Sequence, residues 1–303
     1  MAEPKATTAP SLGRDALSGR LERALSSLDG VEGPTVEWKR AWMLTALGRY
    51  GEALDACAAA KAGTPVLQAS ALMTEAMLYR QIALHARAEE ADEAALEVMR
   101  ADRVRSAPVR AAIRIGQVAD AVGLGMERTV LSRRLQVASA AVTAAGSWRQ
   151  GVRLTWVRGE VLMVTGAYAR AARVFASGAK VASEQGARRH HAKSLIFLAA
   201  SRAASGDRTE ARRMAERGLQ LAARCGAAPL IWPAELILAE VDPDGADRHL
   251  ARARQFAGGV LDTLPDPLRA EALRRPPADW LVGEVADAAA EGLYRGAGPA
   301  TDA

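Results

Sequence analysis

Apolar residues recur along most of the chain at the three- and four-residue intervals of an α-helix. Near the N-terminus, Leu17, Leu21, Leu25 and Leu28 fall on one helical face. Runs of valine, isoleucine and threonine that would favour strands are scarce. Alanine, the strongest helix former, makes up roughly a fifth of the residues. The pattern predicts an all-α protein.

The predicted helices occur in pairs joined by short turns. A helix is predicted from residue 11, and the last one spans 278–292. Between them the pattern predicts pairs at 35–48 and 50–62, 65–87 and 90–104, 107–123 and 126–145, 148–165 and 168–185, 188–204 and 207–224, and 229–241 and 245–258. Asp207, with Glu210 three residues later, predicts an N-cap for its helix.

A short phrase marks the bend inside several pairs: a small residue, then a polar or acidic pair, then alanine. It occurs at 47–53, 165–171 and 205–211, with weaker copies at 89–94, 123–127 and 244–247. A period of about 40 residues is typical of a helical solenoid, in which each repeat buries its core only against its neighbours. We therefore interpret the phrase as a structural element that marks the bend between the two helices of a pair.

The expected architecture is a right-handed α-α superhelix of about six helix pairs, with an N-terminal helix and C-terminal capping helices. We predict a disordered tail at 1–10, the solenoid at 11–258, capping helices at 259–295 and a frayed tail at 296–303. The change of rhythm after residue 258, where prolines become frequent, sets the boundary of the cap.

The charge balance permits two interpretations. The chain has 40 Lys and Arg against 35 Asp and Glu, a net charge of +5. The excess of arginine reflects either GC-rich codon usage or an anionic partner such as nucleic acid or an acidic peptide. The mixing of both signs along the chain favours the first interpretation.

Cysteine usage and hydropathy indicate a cytoplasmic protein. Cys57 and Cys225 lie far apart within helical patterns and fit small apolar packing residues in a reducing compartment. No signal-peptide core and no apolar run of membrane-spanning length is present in the sequence.

One helix pair has the small and large residues of a known repeat family. It resembles a tetratricopeptide repeat (TPR), though its period is longer, at the positions of Trp156, Gly159, Gly166, Tyr168, Ala171, Phe175 and Gly178. The resemblance covers roughly residues 35–258. The long repeats are also similar to the helical regions of large bacterial transcription regulators and signalling ATPases, without their DNA-binding, nucleotide-binding or kinase segments.

The resemblance implies that ligands lie along the concave surface formed by the first helix of each pair. By helical spacing, that surface would present cations interleaved with aromatic rings: Trp38, Lys39, Trp42, Tyr79, Arg80, Arg153, Trp156, Lys193 and Trp232. Such a surface suits a peptide with acidic and apolar side chains. The alternative is that the tryptophans are core wedges and the cations are simply solvated.

A second cluster lies at the predicted start of a helix. Arg188, Arg189 and His190 form either an anion contact, helped by the helix dipole, or a solvated first turn. Adjacent histidines on a helix point in different directions, so His190-His191 does not form a zinc site, and no metal is predicted.

No catalytic motif is present, so we predict no enzyme activity, no catalytic residue and no cofactor. The leading hypothesis is a peptide- or protein-binding scaffold or regulatory module. A nucleic-acid-binding solenoid with an arginine-rich face is the alternative, and an enzyme with an unrecognised site is the third. Homodimerisation is compatible with all three, and a membrane partner is not expected.

Overall fold

The computed structural model describes residues 12–282, and within that range every regular element is helical. The helices are α1 (Arg14–Leu17), α2 (Leu21–Ser26), α3 (Pro34–Leu47), α4 (Tyr50–Ala60), α5 (Pro65–Gln81), α6 (His85–Ala101), α7 (Ala107–Gly123), α8 (Arg128–Ala145), α9 (Trp148–Val164), α10 (Tyr168–Glu184), α11 (Arg188–Ala204), α12 (Arg208–Arg224), α13 (Ala228–Val241), α14 (Ala246–Leu261), α15 (Asp266–Ala272) and α16 (Ala278–Leu281). The predicted tails at 1–10 and 296–303, and most of the helix predicted at 278–292, lie outside the described residues.

Consecutive helices from α3 to α14 pack as antiparallel pairs, which confirms the predicted all-α solenoid. Small residues stand where the helices of a pair meet, as the repeat pattern requires. A side chain at Gly159 would meet the ring of Phe175, and one at Gly178 would meet Thr155. Phe175 is completely buried, so it is the wedge that its repeat position predicts.

In the second half of the chain, glycines in the left-handed conformation end successive helices at regular intervals. Gly166, Gly186, Gly206 and Gly226 all have positive φ and follow one another at even spacing. Each allows the next amide to bond back to the helix that has just ended, as between the Ala167 N–H and the Leu162 carbonyl at 2.8 Å. Asp207 caps α12 as predicted, accepting from the Glu210 N–H at 3.2 Å.

The predicted bend at 89–94 is wrong. Helix α5 ends at Gln81 and α6 begins at His85, so the turn lies several residues earlier. Its left-handed residue is Ala83, with φ 58°, and the Leu84 N–H bonds to the Tyr79 carbonyl at 2.9 Å. Because alanine stands there in place of the glycine found at most of the other turns, no residue type in the sequence marks this turn.

The single N-terminal helix predicted from the leucines is also wrong. The chain turns at Gly19, with φ +84°, and splits the segment into α1 and α2. A side chain at Gly19 would collide with the Sγ of Cys225, at the end of α12. The N-terminal segment therefore packs against a late repeat, and the close approach requires glycine.

The first and last helix pairs share one core. Buried residues of α2, α3 and α4 form a continuous cluster with Val260, Leu261, Leu264 and Ala272. The Thr263 carbonyl accepts from the Gly51 N–H at 2.8 Å, and its hydroxyl accepts from the Tyr50 N–H at 2.9 Å and contacts the Gly48 carbonyl at 3.0 Å. The solenoid is thereby closed into a ring.

Substitution of two turn glycines distinguishes the effect of ring closure on protein stability from the effect of backbone strain. Gly48 and Gly166 both end the first helix of a pair with positive φ, but a side chain at Gly48 would meet Val260 and Pro229, whereas Gly166 has open space. We expect Gly166→Ala to cost about 1–2 kcal/mol of the free energy of unfolding. Gly48→Ala should cost about 1–3 kcal/mol more, because it overpacks the closure. Urea denaturation followed by helical circular dichroism compares them, and equal losses would contradict closure through this contact.

Candidate ligand-binding cavity

A cavity of about 480 Å³ lies inside the ring. Its walls come from the first helices of the pairs, α3, α5, α7, α9, α11 and α13, with additions from α14 and from the Arg275–Ala278 segment. One part of the wall is apolar and consists of Ile115, Val122, Val157, Ile196, Leu230, Val260 and Leu261. The volume falls in the range of sites that enclose small ligands.

Four cations lie at one end of this cavity, on two neighbouring helices. Arg149 and Arg153 are one turn apart on α9, and Arg189 and Lys193 are one turn apart on α11. Within residues 12–282, none of the four has a carboxylate within ion-pair distance; Arg153 donates to the Gln150 side chain at 3.1 Å. We call Arg149, Arg153, Arg189, Lys193 and the adjacent His190 the basic end of the cavity.

Aromatic faces support these cations. The Cζ atoms of Arg149 and Arg189 lie 5.1 and 6.0 Å from the ring centroid of Trp42, which reaches across from α3. The Nζ of Lys193 lies 4.8 Å from the Trp156 ring and 5.3 Å from that of Phe197. Each cation–π contact offsets part of the desolvation that burial imposes.

His190 is the centre of the basic end. Its ring stacks on Trp156 at 5.5 Å and meets the edge of Trp148 at 5.9 Å, and its Nδ1 is buried without a partner. Trp156 is itself fixed by a hydrogen bond from its Nε1 to the Ser194 hydroxyl at 2.8 Å. The packing therefore holds the imidazole rigidly.

Burial, reinforced by Arg149, Arg189, Arg153 and Lys193, holds the pKa of His190 well below its ordinary value. His190 is neutral at physiological pH. Burial also lowers the pKa of Lys193 to about 8, although the Glu160 carboxylate opposes this change.

Carboxylates are almost excluded from the cavity. Among the described lining residues, Glu160 is the only one, and burial raises its pKa. Arg80 also lines the cavity, but it forms two hydrogen bonds with buried Asp120, at 2.9 and 2.7 Å, and pairs with Asp92. Its charge is therefore neutralised by direct contact within the wall, whereas the cations at the basic end make no such contact with a carboxylate of the described residues.

The structure brings most of the predicted groove residues together. Trp42, Arg80, Arg153, Trp156, Lys193 and Trp232 line the cavity. Trp38 is instead buried in the core shared by the first and last pairs, Tyr79 packs against that core, and Lys39 lies away from the cavity. Helical spacing identified the inward-facing side of α3 and α5 but not how deeply each residue is buried.

The cluster predicted at the start of α11 divides in two. Arg189 and His190 are buried and line the cavity, so a solvated first turn is wrong for them. Arg188 is exposed and its side chain lies beside Gly19, away from the cavity.

Arg149 was missed by the sequence interpretation. A signal for it exists, because Arg149 and Arg153 stand one repeat before Arg189 and Lys193 in the same positions. Superposing these two repeats would have shown two basic residues, one helical turn apart, at the same positions of α9 and α11.

The described residues contain no cluster of His, Cys, Asp or Glu arranged to hold a metal ion. Among the described helices, none combines the length and hydropathy needed to span a bilayer. Cys57 and Cys225 are both buried and unbonded, in agreement with their predicted packing role.

Comparison with solved structures supports a TPR-like repeat fold. A crystal structure of a Rap protein complexed with Competence and Sporulation Factor matches 88% of this chain and 80% of its own, with a TM-score of 0.59 at 14% identity. The apo form of RapI matches 81% and 74% of the two chains at 13% identity, with a TM-score of 0.42. No protein-family model and no curated protein matches the sequence.

The state of His190 can be tested directly. We expect the titration midpoint of its Cε1 proton in nuclear magnetic resonance spectra to lie well below 6.5, because burial and the four neighbouring cations disfavour the imidazolium and lower the pKa of His190. A His190→Gln variant assigns the signal. A midpoint near 6.5, the value of an unperturbed histidine, would show that the basic end is more open to water than described.

Proposed function

We propose that this protein is a non-enzymatic regulatory module that binds a short peptide or protein segment inside the ring. The observation that carries the proposal is the cavity itself, which puts unpaired cations beside aromatic and apolar walls. Acidic groups of the ligand would meet the basic end, and its apolar side chains would meet Ile115, Val157 and Leu230.

The size of the cavity limits what it accepts. About 480 Å³ fits a few residues of a peptide rather than a folded domain. The Rap protein of similar fold was solved as a complex with Competence and Sporulation Factor, which supports the use of such a fold for binding a ligand. The resemblance to the helical regions of bacterial regulators, and a cytoplasmic location, fit the same proposal.

The nucleic-acid alternative receives less support. A duplex requires a continuous exposed face of free cations. On the outer surface, several arginines are paired with neighbouring glutamates, as in Arg212–Glu216 at 3.0 Å and Arg213–Glu210 at 2.6 Å. The cations of the basic end face the interior of the ring, where no duplex fits.

Selection from a random peptide library on the immobilised protein tests the proposal. We expect enriched peptides to combine acidic and apolar residues, and an Arg153→Gln/Lys193→Gln variant to lose them. The matched control is Arg173→Gln/Lys180→Gln on the exposed side of α10, which removes the same charge outside the cavity and should keep them.

Two outcomes of this selection would refute the proposal. One is that no sequence is enriched by the wild-type protein. The other is that the cavity variant and the control variant enrich the same peptides, which would place binding on another surface.

The affinity for a selected acidic peptide should depend on pH. Lys193 faces Glu160, Arg153, Arg189 and Arg80, and its pKa is about 8 in the free protein. A bound anion raises that pKa, so binding is strongest below about pH 8 and weakens as the pH rises through it. Calorimetric titrations from about pH 7 to 9 measure this change. A Lys193→Gln variant should lose the dependence over this range; a dependence that persists unchanged would exclude Lys193 as its source.

A further inference from the structure

We propose that the basic end of the cavity is a subsite for a phosphoryl-type dianion carried by the ligand. Within the proposed function, this assigns the chemistry of one end of the ligand. The subsite can be tested with small anions alone, so its failure and the failure of peptide binding are separate results.

The first argument is the arrangement of charge. Two guanidinium groups share the ring of Trp42, at 5.1 and 6.0 Å, and Arg153 lies one turn along α9 from Arg149. Like charges brought together out of water repel, and a cation–π contact does not remove the repulsion. Glu160 opposes the charge of Lys193 and Asp92 opposes that of Arg153, which leaves the guanidinium charges of Arg149 and Arg189 without a nearby carboxylate among the described residues.

The second argument is the presence of buried donors without acceptors. Arg189 is only 6% exposed, and its Nε has no partner; the Nε of Arg149 and the Nδ1 of His190 are also unpartnered. Buried polar groups normally find hydrogen bonds, because leaving one unpaired costs free energy. Three such atoms belong to side chains that line one end of the cavity, so hydrogen-bonding capacity is left unused there.

The third argument concerns which acceptor fits. A single carboxylate would leave one of the two uncompensated guanidinium charges without a counterion, whereas a dianion compensates both. The planar guanidinium group forms paired hydrogen bonds with phosphate oxygens, and three of them supply more donors than one planar carboxylate can accept. Neutral His190 carries no negative charge that would repel an anion, and its imidazole can donate one further hydrogen bond.

The ends of two helices add to this preference. Arg149 lies in the first turn of α9, and Arg189 and His190 lie in the first turn of α11. The N-terminal end of a helix carries a partial positive charge and favours anions. Neither helix has an N-cap side chain that bonds its first amides, Ser147 and Ala187 being the residues at those positions.

Calorimetric titration with four aromatic anions tests the charge and shape of the preferred group at about pH 7.5. Phenyl phosphate is a tetrahedral dianion there, since its second pKa is near 6; benzenesulfonate is a tetrahedral monoanion, benzoate a planar monoanion and phthalate a dicarboxylate. We expect phenyl phosphate to bind at least about tenfold more tightly than each of the other three. Equal binding of phthalate, equal binding of either monoanion, or no binding by any of the four would overturn the proposal.

Variants tie the preference to the basic end. Arg149→Met and Arg189→Met should each reduce the affinity for phenyl phosphate by at least about tenfold, while Arg173→Met on α10 leaves it unchanged. In buffer without multivalent anions, Arg149→Met should melt at the same or a higher temperature, because it removes an unpaired buried charge. A lower melting temperature with unchanged affinity would assign Arg149 a purely structural role.

A final comparison identifies the source of the dianion. Titrations with inorganic phosphate and with a short phosphoserine peptide separate a free phosphate from one carried on a peptide. Tighter binding of the phosphopeptide than of inorganic phosphate is expected if the same cavity holds the peptide, whereas binding of inorganic phosphate and phenyl phosphate alone would retain the subsite and contradict the peptide ligand. Failure of all phosphate probes, with acidic peptides still bound, would retain the proposed function and reject the dianion.

Discussion

The packing of the first helix pair against the last is the constraint on which the cavity depends. Thr263 binds the turn between α3 and α4 through its carbonyl and its hydroxyl, and Val260 packs against Gly48. Solenoids ordinarily leave their two terminal repeats facing water, behind polar caps. Here the terminal pairs cover one another, so the first helices enclose a space that an open superhelix would leave as a groove.

Enclosure explains the electrostatics of the site. In an open groove, Arg149, Arg153 and Arg189 would be solvated and their mutual repulsion screened. Inside the ring, burial and mutual repulsion lower the pKa of Arg149 and Arg153, and the apolar core shared by the terminal pairs must offset the cost of keeping their charges. A bound anion removes part of that cost. Ligand binding and ring stability are therefore linked, and the ligand-bound protein should be the more stable form.

Much of the fold could be predicted because it rests on local signals. Glycines such as Gly166 and Gly206 mark turns, and the spacing of apolar residues gives the helices between them. The turn at Ala83 carried no such signal, because an ordinary residue adopts the left-handed conformation there. Ring closure could not be predicted, since it joins Gly48 to Thr263 across most of the chain, and the turn phrase that contains Gly48 carries no signal for a distant partner. The inward face was largely predicted from helical spacing, and the position of Arg149 one repeat before Arg189 could have added it, whereas the burial of Arg189 follows from closure itself.

The central claim is that the interior of the ring is the ligand site. The most direct test is amide hydrogen exchange measured with and without a selected acidic peptide. The account predicts added protection in the first helices Trp148–Val164 and Arg188–Ala204, which carry the basic end, and little change in their partners Tyr168–Glu184 and Arg208–Arg224. Protection concentrated in α10 and α12, with α9 and α11 unchanged, would place the ligand on the outer surface and contradict the account.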